Sequence, residues 1–179
     1  MEDLNYTKST CDKYTLRFNE NKDWAVFVID DRGLMQCHSS FGDYSYNWRA
    51  FGDNFKGFLC DITSPYLLIK VAEKNCYDPY KHLEVCKKTI IGLRKEGEID
   101  KSDARELWND CVDVIGRRGS SAEMVASKMF DNEVLGCLYR GDVYLSPFMP
   151  ETEYSPRAVF FAEKIFPEFV KILKTERGV

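Results

Sequence analysis

The sequence has no long apolar run, no Cys-x-x-Cys pair, only two histidines and no excess of basic residues. Each absence removes a class of function. A membrane-spanning helix needs about 20 consecutive apolar residues, and no stretch approaches that, so we expect no membrane association. A net charge of -4 and a pI near 5.3 leave no clustered lysine and arginine for a large phosphate-binding surface, so no direct non-specific nucleic-acid binding is expected. There is no phosphate-cradling Gly-x-x-x-x-Gly-Lys-[Ser/Thr] loop, no Gly-x-Gly-x-x-Gly, no Gly-x-Ser-x-Gly elbow and no His-Glu-x-x-His. Two histidines and no paired motif argue against a metal-dependent or acid–base enzyme. We therefore expect no catalytic residue, no cofactor and no metal.

Seven cysteines stand at 11, 37, 60, 76, 86, 111 and 137. Their odd number and wide spacing fit reduced, small core residues better than a disulfide framework. The N-terminal Met1-Glu2-Asp3-Leu4-Asn5 has neither a basic nor an apolar segment, which predicts no secretory signal and a cytosolic setting. At 179 residues, 44% hydrophobic and 30% charged, the chain suits one globular domain.

What is present begins with a β-rich stretch. Tyr14, Leu16 and Phe18 alternate with Thr15 and Arg17 as in a half-buried strand. Trp24 to Ile29 is apolar on both faces, predicting an interior strand covered on both sides. Asp30-Asp31-Arg32-Gly33 is hairpin chemistry, Leu34 to Ser39 is the return strand, and Tyr44, Tyr46 and Trp48 line one face of a fourth. Connections this short predict an antiparallel meander.

After Gly52 the period lengthens. Phe55, Phe58 and Leu59 suggest a short helix. Ser64-Pro65 and Asp78-Pro79 each place a capping side chain before a proline. The second opens a helix with Tyr80, Leu83, Cys86, Ile90 and Leu93 inward, ending near Gly97. Asp100 or Ser102 starts another, with Ala104, Leu107, Trp108, Cys111 and Ile115 inward, and Gly116 to Gly119 ends it. Ser120 with Glu123 matches a capping box for a helix through Met129. Val134 to Tyr139 and Val143 to Leu145 fit helix or strand. Ser155-Pro156 opens an apolar C-terminal helix that Pro167 kinks or restarts. The fold class is α+β: a single domain over 1-179, with a meander of about four strands (1-52) packed against a mainly helical remainder (53-179).

Four constellations bear on chemistry. Cys37 and His38 are adjacent, but neighbours on a strand face opposite ways and cannot form a dyad with each other. Cys76, His82 and Cys86 resemble half a zinc site, yet the second close pair is missing; Cys60 or Cys111 would have to complete it. Asp103, Glu106, Asp110 and Asp113 run down one helix face as an acidic stripe, either a solvated face or a partner-binding surface for basic groups. Tyr44, Tyr46 and Trp48 could stack bases, but only Arg49 accompanies them, so a covered sheet core is the better account.

Trp24-Ala25-Val26-Phe27-Val28-Ile29-Asp30-Asp31, then Cys37-His38-Ser39-Ser40-Phe41-Gly42-Asp43-Tyr44-Ser45-Tyr46-Asn47-Trp48, resemble a diffuse family of small bacteriophage and prophage accessory proteins of unknown function. Phe55-Lys56-Gly57-Phe58-Leu59 and Ser64-Pro65-Tyr66-Leu67-Leu68-Ile69-Lys70 continue the likeness, which is ordered over residues 12 to 75. The resemblance brings no catalytic residues. It implies a protein of the host cytoplasm that binds and blocks a host or defence-system protein or nucleoprotein, as an anti-CRISPR or other counter-defence inhibitor does. The alternative is a small enzyme or a nucleotide- or small-molecule-binding protein with an unfamiliar pocket involving Cys37, His38 or His82. A self-assembling morphogenesis or regulatory factor is a third reading.

Overall fold

The computed structural model describes residues 5–117, 119–140 and 146–178, the side chains of 21 and 137–140 apart. The chain divides into two compact units, one made of Met1–Lys74 with Tyr154–Val179, the other of Asn75–Glu153. The chain as a whole is α+β, with a four-stranded sheet first and mainly helices after it.

In the first unit, β1 (Asp12–Phe18), β2 (Asp23–Ile29), β3 (Leu34–Ser39) and β4 (Gly42–Asn47) form an antiparallel sheet in the order β1-β2-β3-β4. The meander predicted from short connections is what forms. Between β2 and β3, the Asp30 carboxylate accepts from the backbone N–H groups of Arg32 and Leu34, both at 2.9 Å. Gly33 follows with φ +95°, the left-handed conformation that glycine adopts without penalty.

The register sets one face of the sheet inward: Leu16, Ala25, Phe27, Ile29, Met35, Cys37 and Tyr44 are buried. β2 is interior, but its second face is not fully covered as its sequence predicts. Trp24, Val26 and Val28 are only half-buried. Their register neighbours are Arg17, Thr15 and Lys13 on β1 and His38 and Gln36 on β3. Long polar side chains on flanking strands shield apolar surface with their stems, so the run needs no second layer.

The inward face packs on α1 (Phe55–Asp61), α2 (Ser64–Val71), α7 (Pro156–Phe160) and α8 (Phe166–Glu176). Asn54 caps α1 and Thr63 caps α2. The expected cap, Ser64, lies one residue inside α2 and its hydroxyl donates instead to the Ala162 carbonyl at 2.8 Å. Between α7 and α8 the backbone widens into a π-turn over Phe161–Ile165. Pro167 then stands in the first turn of α8. Proline lacks a donor and clashes with the carbonyl four residues back, and a widened turn placed before it lets the helix restart without breaking. Phe27 stacks on Phe169 with centroids 4.1 Å apart, and Tyr44 stacks on Phe161 at 4.0 Å.

The second unit holds α3 (Pro79–Glu96), α4 (Lys101–Ile115), α5 (Ala122–Phe130) and α6 (Glu133–Arg140). Asp78 caps α3 by accepting from the N–H groups of Tyr80 and Lys81, and Gly97 closes it in the left-handed conformation. Asp100 caps α4. For α5 the cap is Ser121, not Ser120, so the capping box read from Ser120 and Glu123 does not form. The Ser120 hydroxyl is occupied by the carbonyls of Val114 and Arg117. Val134 to Tyr139 falls within α6, while Val143 to Leu145 lies outside the described residues. The core here is separate from that of the first unit and includes Cys86, Ile90, Leu107, Cys111, Ile115 and Phe148.

β5 (Lys74–Tyr77) and β6 (Thr152–Tyr154) form a two-stranded sheet. Among the described residues no helix is long and apolar enough to cross a membrane.

Candidate functional site

The helical unit brings a histidine, a tyrosine and two cysteines into or against its core. Asp78 and Pro79 fix the start of α3, which places His82 one turn in and Cys86 one turn further on the same inward face. His82 is only 7% exposed. Its Nδ1 shares a hydrogen bond of 2.7 Å with the Tyr77 hydroxyl, and its Nε2 is buried without a hydrogen-bond partner. Burial pushes the Tyr77 phenol up to about 12, with the nearby Cys86 sulfur adding to the effect, so this hydroxyl stays protonated at neutral pH.

Cys86 on α3 and Cys111 on α4 are both fully buried in the same core. The neighbouring Cys111 side chain first, and His82 after it, favour the charged form of Cys86 and lower it from the ordinary thiol range against the opposing effect of burial. Cys111 is raised by the same interaction and by burial. As a thiol, Cys86 also reaches the Pro147 carbonyl at 3.6 Å. The result is a line of polar groups, Tyr77, His82, Cys86 and Cys111, set in an apolar core.

Above it lies a cleft of about 340 Å³, lined by Lys81, His82, Val85, Pro147, Met149 and Glu151 among others. Lys81 is ion-paired with Glu153 at its rim. The cleft combines apolar walls with a few convergent polar groups, the usual make-up of a small-molecule site. Of the half zinc site read from the sequence, His82 and Cys86 share this cluster, Cys111 joins it from α4, and Cys76 is exposed on β5. No group of three or more histidine, cysteine or acidic residues is placed to hold a metal ion among the described residues.

The acidic stripe is where the spacing puts it, on α4, but its members differ. Glu106 and Asp113 are exposed, Asp103 and Asp110 half-buried. Asp110 accepts from Asn132 Nδ2 at 2.7 Å, and Asp113 pairs with Arg117 at 2.6 Å. Among the described residues Asp103 and Glu106 have no ion-pair partner. On another face of α4 from the stripe, α3 and α4 form a shallow groove floored by Ile90, Ile91, Ala104 and Trp108 and edged by Arg94 and Arg105. Ile91 and Val112 are 47% and 41% exposed.

The other candidates resolve into structure. Cys37 is buried and pushed up to about 12 by desolvation, while His38 points the other way, edge-on to Trp24 and bonded to Asp43. Tyr44 and Trp48 are buried in the sheet core, closed to base stacking. Sequence reasoning missed Tyr77, and named Cys111 only as an alternative to Cys60 for joining His82 and Cys86. The four-residue spacing of His82 and Cys86 was the available signal; Tyr77 comes from another element and carries none.

Compared with known families, the chain matches over residues 4–175 a model described as a phage family. No curated protein and no solved structure matches it.

Proposed function

The chain belongs to that phage family, and from this premise we propose that it is a non-enzymatic binding protein that occupies a surface of a host protein or nucleoprotein in the host cytoplasm. A counter-defence role, including inhibition of a CRISPR–Cas complex, is the form this reading takes. The observation that carries it is the outer surface of α3 and α4. On α4, Asp103 and Glu106 have no ion partner among the described residues, and a separate face of the helix pair exposes Ile91 and Val112. Apolar side chains rimmed by charge are the composition of a protein interface, and unpaired carboxylates favour a basic partner patch. The stripe Asp103, Glu106, Asp110 and Asp113 is the proposed contact, with its first two members available and the last two partly engaged within the protein.

A tagged pull-down from host lysate, with and without nuclease, tests this directly. The expected result is a stoichiometric protein partner that survives nuclease and is lost with Asp103→Lys plus Glu106→Lys. Retention of the partner by that double variant removes the stripe from the interface. Absence of any partner overturns the binding reading. The cleft over His82 favours a second reading, a small-molecule-binding protein. A thermal-shift screen of metabolite-sized compounds, repeated on His82→Gln, checks it; a hit unaffected by the substitution places the ligand elsewhere.

A further inference from the structure

We propose that the groove between α3 and α4 is a docking surface for an acidic amphipathic helix of a partner protein. On each helix its lining residues fall at i, i+1, i+4 and i+5, from Ile90 to Lys95 on α3 and from Ala104 to Asn109 on α4. That spacing keeps each set on one side of its helix. The groove has a volume of about 380 Å³. Ile90 is buried, while Ile91, 47% exposed, and half-buried Trp108 leave apolar surface open. A hollow of this kind takes apolar side chains that recur once per turn, the recognition mode of a helix laid in a groove.

Charge decides which helix. The edges carry Arg94 and Lys95 from α3 and Arg105 from α4, all exposed, and no carboxylate lines the groove among the described residues. Among those residues none of the three cations has an ion-pair or hydrogen-bond partner. Such a rim runs against the chain's net charge of -4. Helix position accounts for part of it: Arg94 and Lys95 stand in the last turn of α3, where the helix dipole favours cations. It does not account for α4. Arg105 lies in the second turn, and exposed Lys101, one turn before it, opens the helix at the end where the dipole disfavours a cation. Carboxylates on a docked helix supply the missing partners, which a guanidinium can bind in a two-pronged pair. Trp108 adds an indole N–H that makes no hydrogen bond among the described residues. Tryptophan and arginine are the side chains on which interface energy concentrates.

A nucleic acid is the poorer occupant. Its phosphates would meet the cations but leave the isoleucine floor wet. Trp108 already has the Lys87 ammonium over its ring at 5.4 Å, so it offers little for base stacking. The acidic stripe on the other face of α4 adds repulsion toward a polyanion. The groove extends the binding-protein reading to a second surface, opposite in charge to the stripe and independent of it.

The test selects from a display library of random peptides, about four helical turns long, on the immobilised full chain, and measures the enriched peptides by fluorescence polarisation. The expected peptides are acidic, with apolar residues at i, i+3 or i+4, and i+7, and bind more weakly as salt is added. Arg94→Glu with Arg105→Glu is expected to weaken binding about tenfold or more, and Ile91→Ser to weaken it as well. Asp103→Lys with Glu106→Lys does not weaken it. Arg94, Arg105 and Ile91 are exposed, so these variants should keep the thermal midpoint of the unaltered chain. No enrichment, enriched peptides that are basic or lack the apolar spacing, or equal binding to the double arginine variant overturns the proposal. So does displacement of the acidic peptide by oligothymidine at equal concentration, which gives the face to nucleic acid. A dimer of the unaltered chain that the double arginine variant abolishes also overturns it, since a second copy then fills the groove. Loss of a lysate partner through the stripe variants leaves all of these readings untouched, so the two surfaces stand or fall separately.

Discussion

Phe27 of β2 and Phe169 of α8 stack face to face, their ring centroids 4.1 Å apart and their planes 7° from parallel. Both rings are fully buried, and they join the first strands of the chain to its last helix. Phe161 lies against the same Phe27 ring at 6.0 Å, so the aromatic stack is the centre of the first unit's core.

Truncating one ring of this stack leaves a cavity that two rigid neighbours cannot close. Phe169→Ala is expected to cost about 3–5 kcal/mol of stability, the range for a buried phenylalanine. Phe169→Leu, which keeps most of the volume, should cost well under half of that. Urea denaturation of both variants checks the pair, and equal losses would mean that the stacking geometry matters more than the volume.

Gly33 and Gly52 both have positive φ, yet their surroundings differ. A Cβ at Gly33 would stand 2.0 Å from the Trp48 carbonyl oxygen, whereas one at Gly52 would meet nothing within 4 Å. Gly52→Ala is therefore expected to show only the backbone strain, about 1 kcal/mol, while Gly33→Ala adds a backbone clash and should exceed about 2 kcal/mol. Denaturation midpoints of the two variants measure the difference. The Trp48 N–H bond to the Gly33 carbonyl, 2.9 Å long, should show faster amide exchange in Gly33→Ala.

Lys56 ties three elements of the first unit together, reaching Asp12 at 2.8 Å, the Tyr14 hydroxyl at 2.7 Å and Glu176 at 3.1 Å. The Asp12 contact, followed by Tyr14 and Glu176, raises the Lys56 ammonium above its usual value. The Tyr14 hydroxyl and then Lys56 hold the Glu176 carboxyl below the usual carboxylate range. A lowered carboxylate contributes stability above its unfolded pKa and loses it as pH falls through the folded one. A raised lysine contributes below its unfolded pKa and loses it as pH rises through the folded one. The destabilisation caused by Lys56→Met should therefore be constant through the neutral range and shrink at both acid and strongly alkaline pH. Urea midpoints measured against pH for both proteins test the shape; a penalty unchanged in acid would remove Glu176 from the account.

Within the acidic stripe, folding and partner binding should separate by residue. Asp110 holds Asn132, whose own Oδ1 accepts from Leu135 N–H at 3.0 Å at the start of α6. Asp110→Ala is expected to cost about 1 kcal/mol, and Asp113→Ala only a few tenths for its helical ion pair. Asp103→Ala and Glu106→Ala should stay within about 0.5 kcal/mol of the unaltered chain. Thermal unfolding of the four variants gives the ranking, which is why charge reversal at Asp103 and Glu106 is the cleaner probe of binding.

The meander was legible because alternation and short connections leave one economical pairing, and because Asp30 and Gly33 are turn chemistry at the positions that need it. Asp78-Pro79 and Gly97 likewise mark the two ends of α3 by local rules. Caps next to a second hydroxyl residue were less legible. At Thr63-Ser64 and Ser120-Ser121 either side chain suits the role, and distant carbonyls, Ala162 for Ser64 and Val114 for Ser120, decide which one is free. β5 and β6 are too short, at four and three residues, to display a period. At the cleft, the His82 and Cys86 spacing is a helical property and visible; the approach of Cys111 and Tyr77 is tertiary, and a single sequence carries no signal for it.

The first unit is discontinuous in the chain and the second is not. During translation, Asn75–Glu153 leaves the ribosome whole and free to fold, while β1 to β4 have been made but still lack Phe161 and Phe169. Until α7 and α8 emerge, the sheet presents Phe27, Met35 and Tyr44 to the surroundings, a nascent apolar surface that a chaperone would hold. Emergence of α7 and α8 is then the event that completes the first unit, so a chain stopped between Glu153 and α7 has one finished unit and one open sheet.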